Sequence, residues 1–144
     1  MDTEQRDDAD ADFERFWQER RVCFLSTPRP DGSPHLVPVG VTYDHATRTA
    51  RVITSRDTAK VRNVERADRP VVAVSQVDGR RWSTLEGTAT VRDDADAVRD
   101  AEARYAARYR QPRANPARVV IEISVRRFLG TVRPRRDVPG AGGR

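Results

Sequence analysis

The stretch VVAVSQVDGRRWSTLEGTATVR, Val71 to Arg92, decides the fold class. Val71 to Val77 is a near-continuous apolar run of strand length. Asp78-Gly79 is a two-residue hairpin signal, because both residues tolerate the backbone that a tight turn needs. Arg80 to Arg92 reads as a long returning strand, with Gly87 marking a bulge. Strands joined by such a turn lie antiparallel, so the centre of the chain is a hairpin and not a βαβ unit.

Toward the N-terminus the next informative stretch is Arg51 to Asn63, RVITSRDTAKVRN. Arg51 to Thr54 has the β-branched content of a strand. Ser55 to Thr58 is a polar turn in which Asp57 or Thr58 can cap a helix. Val61, Val64 and Ala67 then recur at helical spacing, and Arg69-Pro70 ends the run. A helix start presents unpaired N–H groups and a positive dipole end, which suit a phosphate. Lys60 sits in that first turn, where the dipole makes a cation slightly unfavourable, and it is the only lysine in the chain. An ammonium on a flexible stem suits a phosphate met as a point charge; the alternative is a solvated helix residue.

Further upstream, His35 to Tyr43 (HLVPVGVTY) reads as a strand broken by Pro38 and Gly40, hence bent. PRPDGSP, residues 28–34, is a turn, and Val22 to Thr27 is the first strand, with Cys23 as a small core residue. Phe13, Phe16 and Trp17 share one face of a short helix ending near Arg21. Residues 1–12 are acidic and lack apolar periodicity, which predicts a mobile leader.

Downstream of the hairpin, Asp93 to Arg110 is one long helix. Asp93, Asp94 and Asp96 load its N-terminal end, and Val98, Ala101, Tyr105 and Tyr109 form an inner stripe. The loop QPRANPA follows, and Arg108, Arg110, Arg113 and Arg118 gather around it. Val119 to Val125 is the last strand, continuing toward Leu129. Arg133 to Arg144 offers no core residue. The domain organisation is therefore a leader at 1–12, one domain at 13–130 and a disordered basic tail at 131–144. Six or seven strands, mostly in hairpin order with two or three inserted helices, make a mainly β fold, a small antiparallel barrel.

The chain has 144 residues and a net charge of +5, enough for one buried core and biased toward anionic partners. Basic residues are interleaved with acidic ones and aromatics are few, which argues against a nucleic-acid surface. One cysteine excludes an internal disulfide, and with no signal peptide this points to the cytoplasm. No apolar run reaches the length of a membrane span, and His35 and His45 lack metal-ligand spacing. No Walker loop, GxGxxG or nucleophile elbow is present.

The segments SPHLVPVGVTYD, ARVITS, KVRNVERADRP and VSQVDGRRWSTLEGTA resemble the pyridoxamine-phosphate-oxidase-like family of flavin and deazaflavin split barrels. With VRDAEARYAARYRQPRANPARVVIEI, the chain is similar to the branch of that family that uses coenzyme F420, of the biliverdin-reductase type. The resemblance spans about Phe13 to Gly130. It implies a six-stranded antiparallel split barrel that forms a homodimer with a cofactor groove at each end of the interface. The deazaflavin ring would lie along His35, Leu36, Val37, Pro38 and Val39. Thr54, Ser55, Thr58 and Lys60 would hold the phosphate, with Arg62 and Asn63 completing the motif, in the same subunit or across the interface. Arg56 departs from the small residues expected in this turn and could add a phosphate contact; Asp57 would repel one unless it points away or caps the helix. Gln76 and Trp82, from the VSQVDGRRW hairpin, would close the ring pocket, from the same subunit or from the partner subunit. The implied activity is hydride transfer from reduced F420 to a conjugated acceptor, biliverdin in this branch, with FMN as the alternative cofactor and a cofactor- or tetrapyrrole-binding protein without turnover as another reading. Arg81, Arg113 and Arg118 are candidates for the acceptor's propionates and the cofactor's glutamyl tail, or else surface arginines. His35 could donate a proton or simply contact the ring.

Overall fold

A computed structural model describes residues 2–135, with side chains from residue 8. In chain order the elements are α1 (Asp2–Phe16), β1 (Cys23–Pro28), β2 (Pro34–Val39), β3 (Thr42–Asp44), β4 (Thr49–Ser55), α2 (Ala59–Arg66), β5 (Val71–Asp78), β6 (Arg81–Arg92), α3 (Ala95–Arg108) and β7 (Arg118–Gly130). The seven strands form one sheet in the order β2-β1-β5-β6-β7-β4-β3, and every neighbouring pair is antiparallel.

The central hairpin is β5 and β6, with Asp78 paired to Arg81. Its two turn residues are Gly79 and Arg80, one position later than the Asp-Gly signal suggests. Gly79 takes φ +62°, so the glycine occupies the first central position. Gly87 is a bulge, marked by a register shift at Glu86/Gly87. A Cβ there would stand 1.9 Å from the Ser124 carbonyl oxygen, so only glycine fits.

The stretch expected to be one bent strand is two strands, β2 and β3, at opposite ends of the strand order. Only Gly40 and Val41 separate them, and three Cα–Cα steps span at most about 11 Å. The sheet must therefore curl until its two edges approach, although no ladder joins β2 to β3 among the described residues.

Inside the curl lie Leu25, Val52, Val74, Leu85, Ile121, Ile123 and Phe128, with Cys23 fully buried among them. Phe13, Phe16 and Trp17 close one end, and the buried Trp17 Nε1–H donates to Ser83 Oγ at 2.9 Å. Those anchors extend the helix back through the expected leader to Asp2. Once one end of a helix is pinned by packing, propagation is easy, and acidic residues suit its N-terminal end. The expected tail also needs correction over residues 131–135. Val132 is buried, and the Arg135 N–H donates to Asp10 Oδ1 at 2.9 Å. Residues 136–144 of that tail lie outside the described residues.

Candidate functional site

The site forms where β4 hands over to α2, against the β2–β3 crossover and the loop after α3. β4 ends at Ser55, and its pairing with β7 continues to Ser55–Arg118. Thr58 precedes α2, and its Oγ1–H donates to the Ser55 carbonyl at 2.9 Å, so it shapes the turn without capping the helix. Val61 and Val64 bury one face of α2. Lys60 is left on another face, half-buried at the cavity.

The resulting cavity is about 600 Å³. It is lined by Thr54, Ser55, Thr58 and Lys60 from the β4–α2 turn, by Pro38, Val39, Gly40 and Tyr105, and by Arg110, Gln111, Arg113 and Arg118 from the loop after α3 and the start of β7. Four side chains in this lining are cations and none is a carboxylate. Burial pushes the Lys60 ammonium below the usual lysine range. Among the described residues no carboxylate forms an ion pair with Lys60, Arg110 or Arg113. Arg118 differs: its guanidinium donates to Glu102 Oε2 at 2.7 Å and its charge is matched. A pocket that combines hydroxyls, an unmatched ammonium and two guanidiniums without a carboxylate partner suits a polyanion.

The loop is latched to the strand end. Asn115 Nδ2–H donates to Ser55 Oγ at 2.8 Å, and the Arg56 N–H donates to the Ala117 carbonyl at 2.9 Å. The wall is held from α3. Tyr109 Oη accepts from the Val41 N–H at 3.1 Å, while Arg108 donates to the Val41 carbonyl at 2.6 Å.

Of the residues singled out from sequence, the cavity gathers Pro38, Val39, Thr54, Ser55, Thr58, Lys60, Arg113 and Arg118. The others lie elsewhere. His35, Leu36 and Val37 are on β2 but outside the lining; His35 Nδ1 is buried without a partner. Arg62 is exposed and donates to the Asp57 carbonyl. Asn63 is buried and donates to Thr27 Oγ1. Arg56 is turned to Glu65 at 3.2 Å and Asp93 at 2.9 Å and lies outside the lining, and Asp57 is exposed outside the lining. Arg81 pairs with Asp12 at 3.0 Å on the α1 side. Gln76 corrects the expectation most sharply. It is 1% exposed, its Nε2–H donates to the Phe16 carbonyl, and its Oε1 accepts from Arg108 at 2.5 Å. A side chain committed on both ends in the interior closes no pocket. Trp82 faces outward and is 39% exposed.

Sequence reasoning passed over Gly40, Ile53, Tyr105, Arg110, Gln111, Pro112 and Asn115 as site residues. Tyr105 was visible only as part of an inner stripe. Asn115 carried the clearer signal: an Asn two residues before a chain turn folds its side chain back, here accepting from the Ala117 N–H at 3.0 Å.

Known proteins can be set against this geometry. The family described as pyridoxamine 5′-phosphate oxidase matches residues 9–131. The chain is 53% identical over 116 residues to an F420H(2)-dependent biliverdin reductase of Mycobacterium tuberculosis, covering 81% of this chain and 83% of that protein. Among solved structures, an F420 reductase superposes with TM-score 0.66 at 23% identity, covering 81% of this chain and 94% of the other. The conserved hypothetical protein Rv2991 of M. tuberculosis gives TM-score 0.71 at 23% identity, covering 92% and 93%. At that identity the structures speak to the fold alone.

Proposed function

This chain belongs to the pyridoxamine 5′-phosphate oxidase family, and from that premise we propose that it is a homodimeric oxidoreductase using reduced coenzyme F420 to convert biliverdin to bilirubin. The observation that carries the reading is the cavity's charge: four cations, no carboxylate, and an unmatched ammonium beside three hydroxyls. A phosphorylated carrier with a carboxylate tail fits that donor set. The relative at 53% identity supports the choice of carrier and acceptor.

Thr54, Ser55, Thr58 and Lys60 would hold the phosphate, and the backbone of Pro38 and Val39 would meet the ring. Arg113 and Arg110 would take carboxylates; Arg118, matched by Glu102, would align the start of β7. Bound reduced deazaflavin supplies a hydride from carbon and reacts poorly with oxygen. The protein's part is to orient two planar molecules at reacting distance and exclude water.

Support for the dimer comes from the outer face of β2-β1-β5-β6. Leu36, Phe24, Val77 and Trp82 all project there and are exposed. Pro38 lies on the same face and also lines the cavity, so a second copy seated on this face would border the site, with Trp82 in the interface.

The test is anaerobic. Reduced F420 and biliverdin are mixed with the protein, and loss of biliverdin absorbance is followed with oxidation of the carrier. Turnover with reduced FMN but not with reduced F420 would replace the carrier. Tight binding of both molecules without turnover would leave a binding protein.

A further inference from the structure

We propose that Tyr105 is the proton donor of the reduction, giving its hydroxyl proton to a ring nitrogen of the acceptor. The proposal rests on the cavity being the redox site and names a chemical role the carrier cannot fill. A hydride adds at one carbon, and the electron pair displaced from the conjugated C=N bond collects on nitrogen, which needs a proton from the protein or from water.

Among the side chains lining the cavity the choice narrows quickly. The guanidiniums of Arg110, Arg113 and Arg118 do not release protons in proteins. The aliphatic hydroxyls are poor acids and are engaged: Thr58 donates to Ser55, Thr54 contacts Thr58 at 3.3 Å, and Ser55 accepts from Asn115. Lys60 stands at the helix start, where an anion needs its charge. Tyr105 is the remaining proton carrier of the lining. Its hydroxyl has no hydrogen-bond partner among the described residues, and the oxygen is not sealed from solvent.

The ring is also held rigidly at the cavity. Its Cε2 sits 2.8 Å from where a Cβ at Gly40 would stand, so the glycine makes room for it. Its other side leans on Tyr109, with centroids 4.9 Å apart and 32° between planes. Tyr109 is fixed in turn, donating to the Arg21 carbonyl at 2.7 Å and accepting from the Val41 N–H. A phenol on a helix, braced by a locked second ring, keeps its hydroxyl in one place.

The balance is simple. The acceptor gains a hydride at carbon from the reduced carrier, which leaves oxidised. An N–H bond forms on the acceptor as the Tyr105 O–H bond breaks. The tyrosinate regains its proton from water when product leaves.

Tyr105→Phe keeps the packing on Gly40 and removes the proton. At saturating reduced F420 and biliverdin the variant should turn over about 10²-fold more slowly, the scale of general acid catalysis. Its Kd for F420 should stay within about twofold and its Tm unchanged, since the hydroxyl makes no internal bond. A second readout needs no carrier: biliverdin bound to the cofactor-free protein should show a shifted absorbance band that Tyr105→Phe abolishes without weakening binding. A variant as fast as the parent, a loss of F420 affinity in step with rate, or no band shift in the parent would overturn the proposal. A parent protein that never oxidises reduced F420 with biliverdin would instead fail the functional reading, and the donor role with it.

Discussion

Replacing Lys60 with alanine should separate binding from stability more cleanly than any other change at the site. Three of the four cavity cations, Lys60, Arg110 and Arg113, have no carboxylate partner among the described residues, and the fourth is matched by Glu102. Lys60→Ala therefore takes the unmatched charge from three to two and removes the one that stands at the α2 start. A charge-assisted hydrogen bond is worth about 1.5–3 kcal/mol, and an open cavity discounts its lower end to about 1. Kd for F420 should rise about 5- to 150-fold. Stability should move the other way or not at all. Burial already disfavours the ammonium, and alanine is the better helix former. The pH dependence follows from the same lowered pKa. In the free protein Lys60 loses its proton at a lower pH than an ordinary lysine, and a bound phosphate raises that pKa again. Affinity is therefore fully present below the free-state pKa and falls by about tenfold per pH unit as pH rises toward the bound-state pKa. For folding, the desolvation cost is fully present below the lowered pKa and is relieved as pH rises from that value to that of an ordinary lysine. Isothermal titration across neutral and alkaline pH, with thermal melts alongside, reads all of this. Unchanged affinity with an intact fold, or an alkaline fall that persists in Lys60→Ala, would refute the assignment.

Gly40→Ala places a methyl 2.8 Å from Tyr105 Cε2 and 3.2 Å from Tyr109 Cε2. It should cost about 1–2 kcal/mol by chemical denaturation, and a Tyr105→Ala background should remove most of that cost; equal costs in both backgrounds would mean the rings yield freely. Arg108→Met keeps length but removes the guanidinium donor from the Glu19 and Val41 carbonyls and from Gln76 Oε1, leaving Val41 a 3.4 Å contact with Tyr109 Oη and Gln76 Oε1 the Cys23 thiol at 3.2 Å. Weakening two buried acceptors costs about 1–3 kcal/mol each, so a loss of about 2 kcal/mol or more is expected, and a shift under about 1 kcal/mol would show that water replaces the guanidinium.

What could be read from sequence was what is local. The β5–β6 hairpin announces itself through Asp78-Gly79, and the Gly87 bulge through a glycine in a strand that has no other reason for one. Which strands neighbour each other across the sheet is non-local. HLVPVGVTY looked like one bent strand because nothing within it says that Val39 and Thr42 belong to opposite edges. Gln76 was misplaced for a different reason. Val72 and Val74 point inward, so two-residue alternation turns Gln76 inward as well, but the apolar run around it hid the period. Arg108 shares the helical face of Ala101 and Tyr105, and only its charge argued for solvent. A buried cation with no carboxylate is rare, and this one is accepted by three neutral oxygens and two aromatic faces, Trp17 at 5.6 Å and Tyr109 at 5.1 Å. At the site, Lys60 was legible as an anomaly of composition, whereas Arg56 misled because its carboxylate partners, Glu65 and Asp93, come from outside the turn.

The crossover at Gly40-Val41 ties these observations together. It is the only covalent link between the sheet's two edges at that end, and it is also the cavity wall. Val41 is gripped at both its N–H and its carbonyl by side chains of Tyr109 and Arg108, consecutive residues at the end of α3. The next residues, Arg110 to Arg113, line the cavity. The end of α3 therefore holds the wall and leads directly into the cavity's guanidiniums. The Arg118–Glu102 pair completes the constraint by fastening the start of β7 to the middle of α3. The buried charge of Arg108, which holds the curled sheet at its joint, thus stands two residues before the first arginine of the cavity.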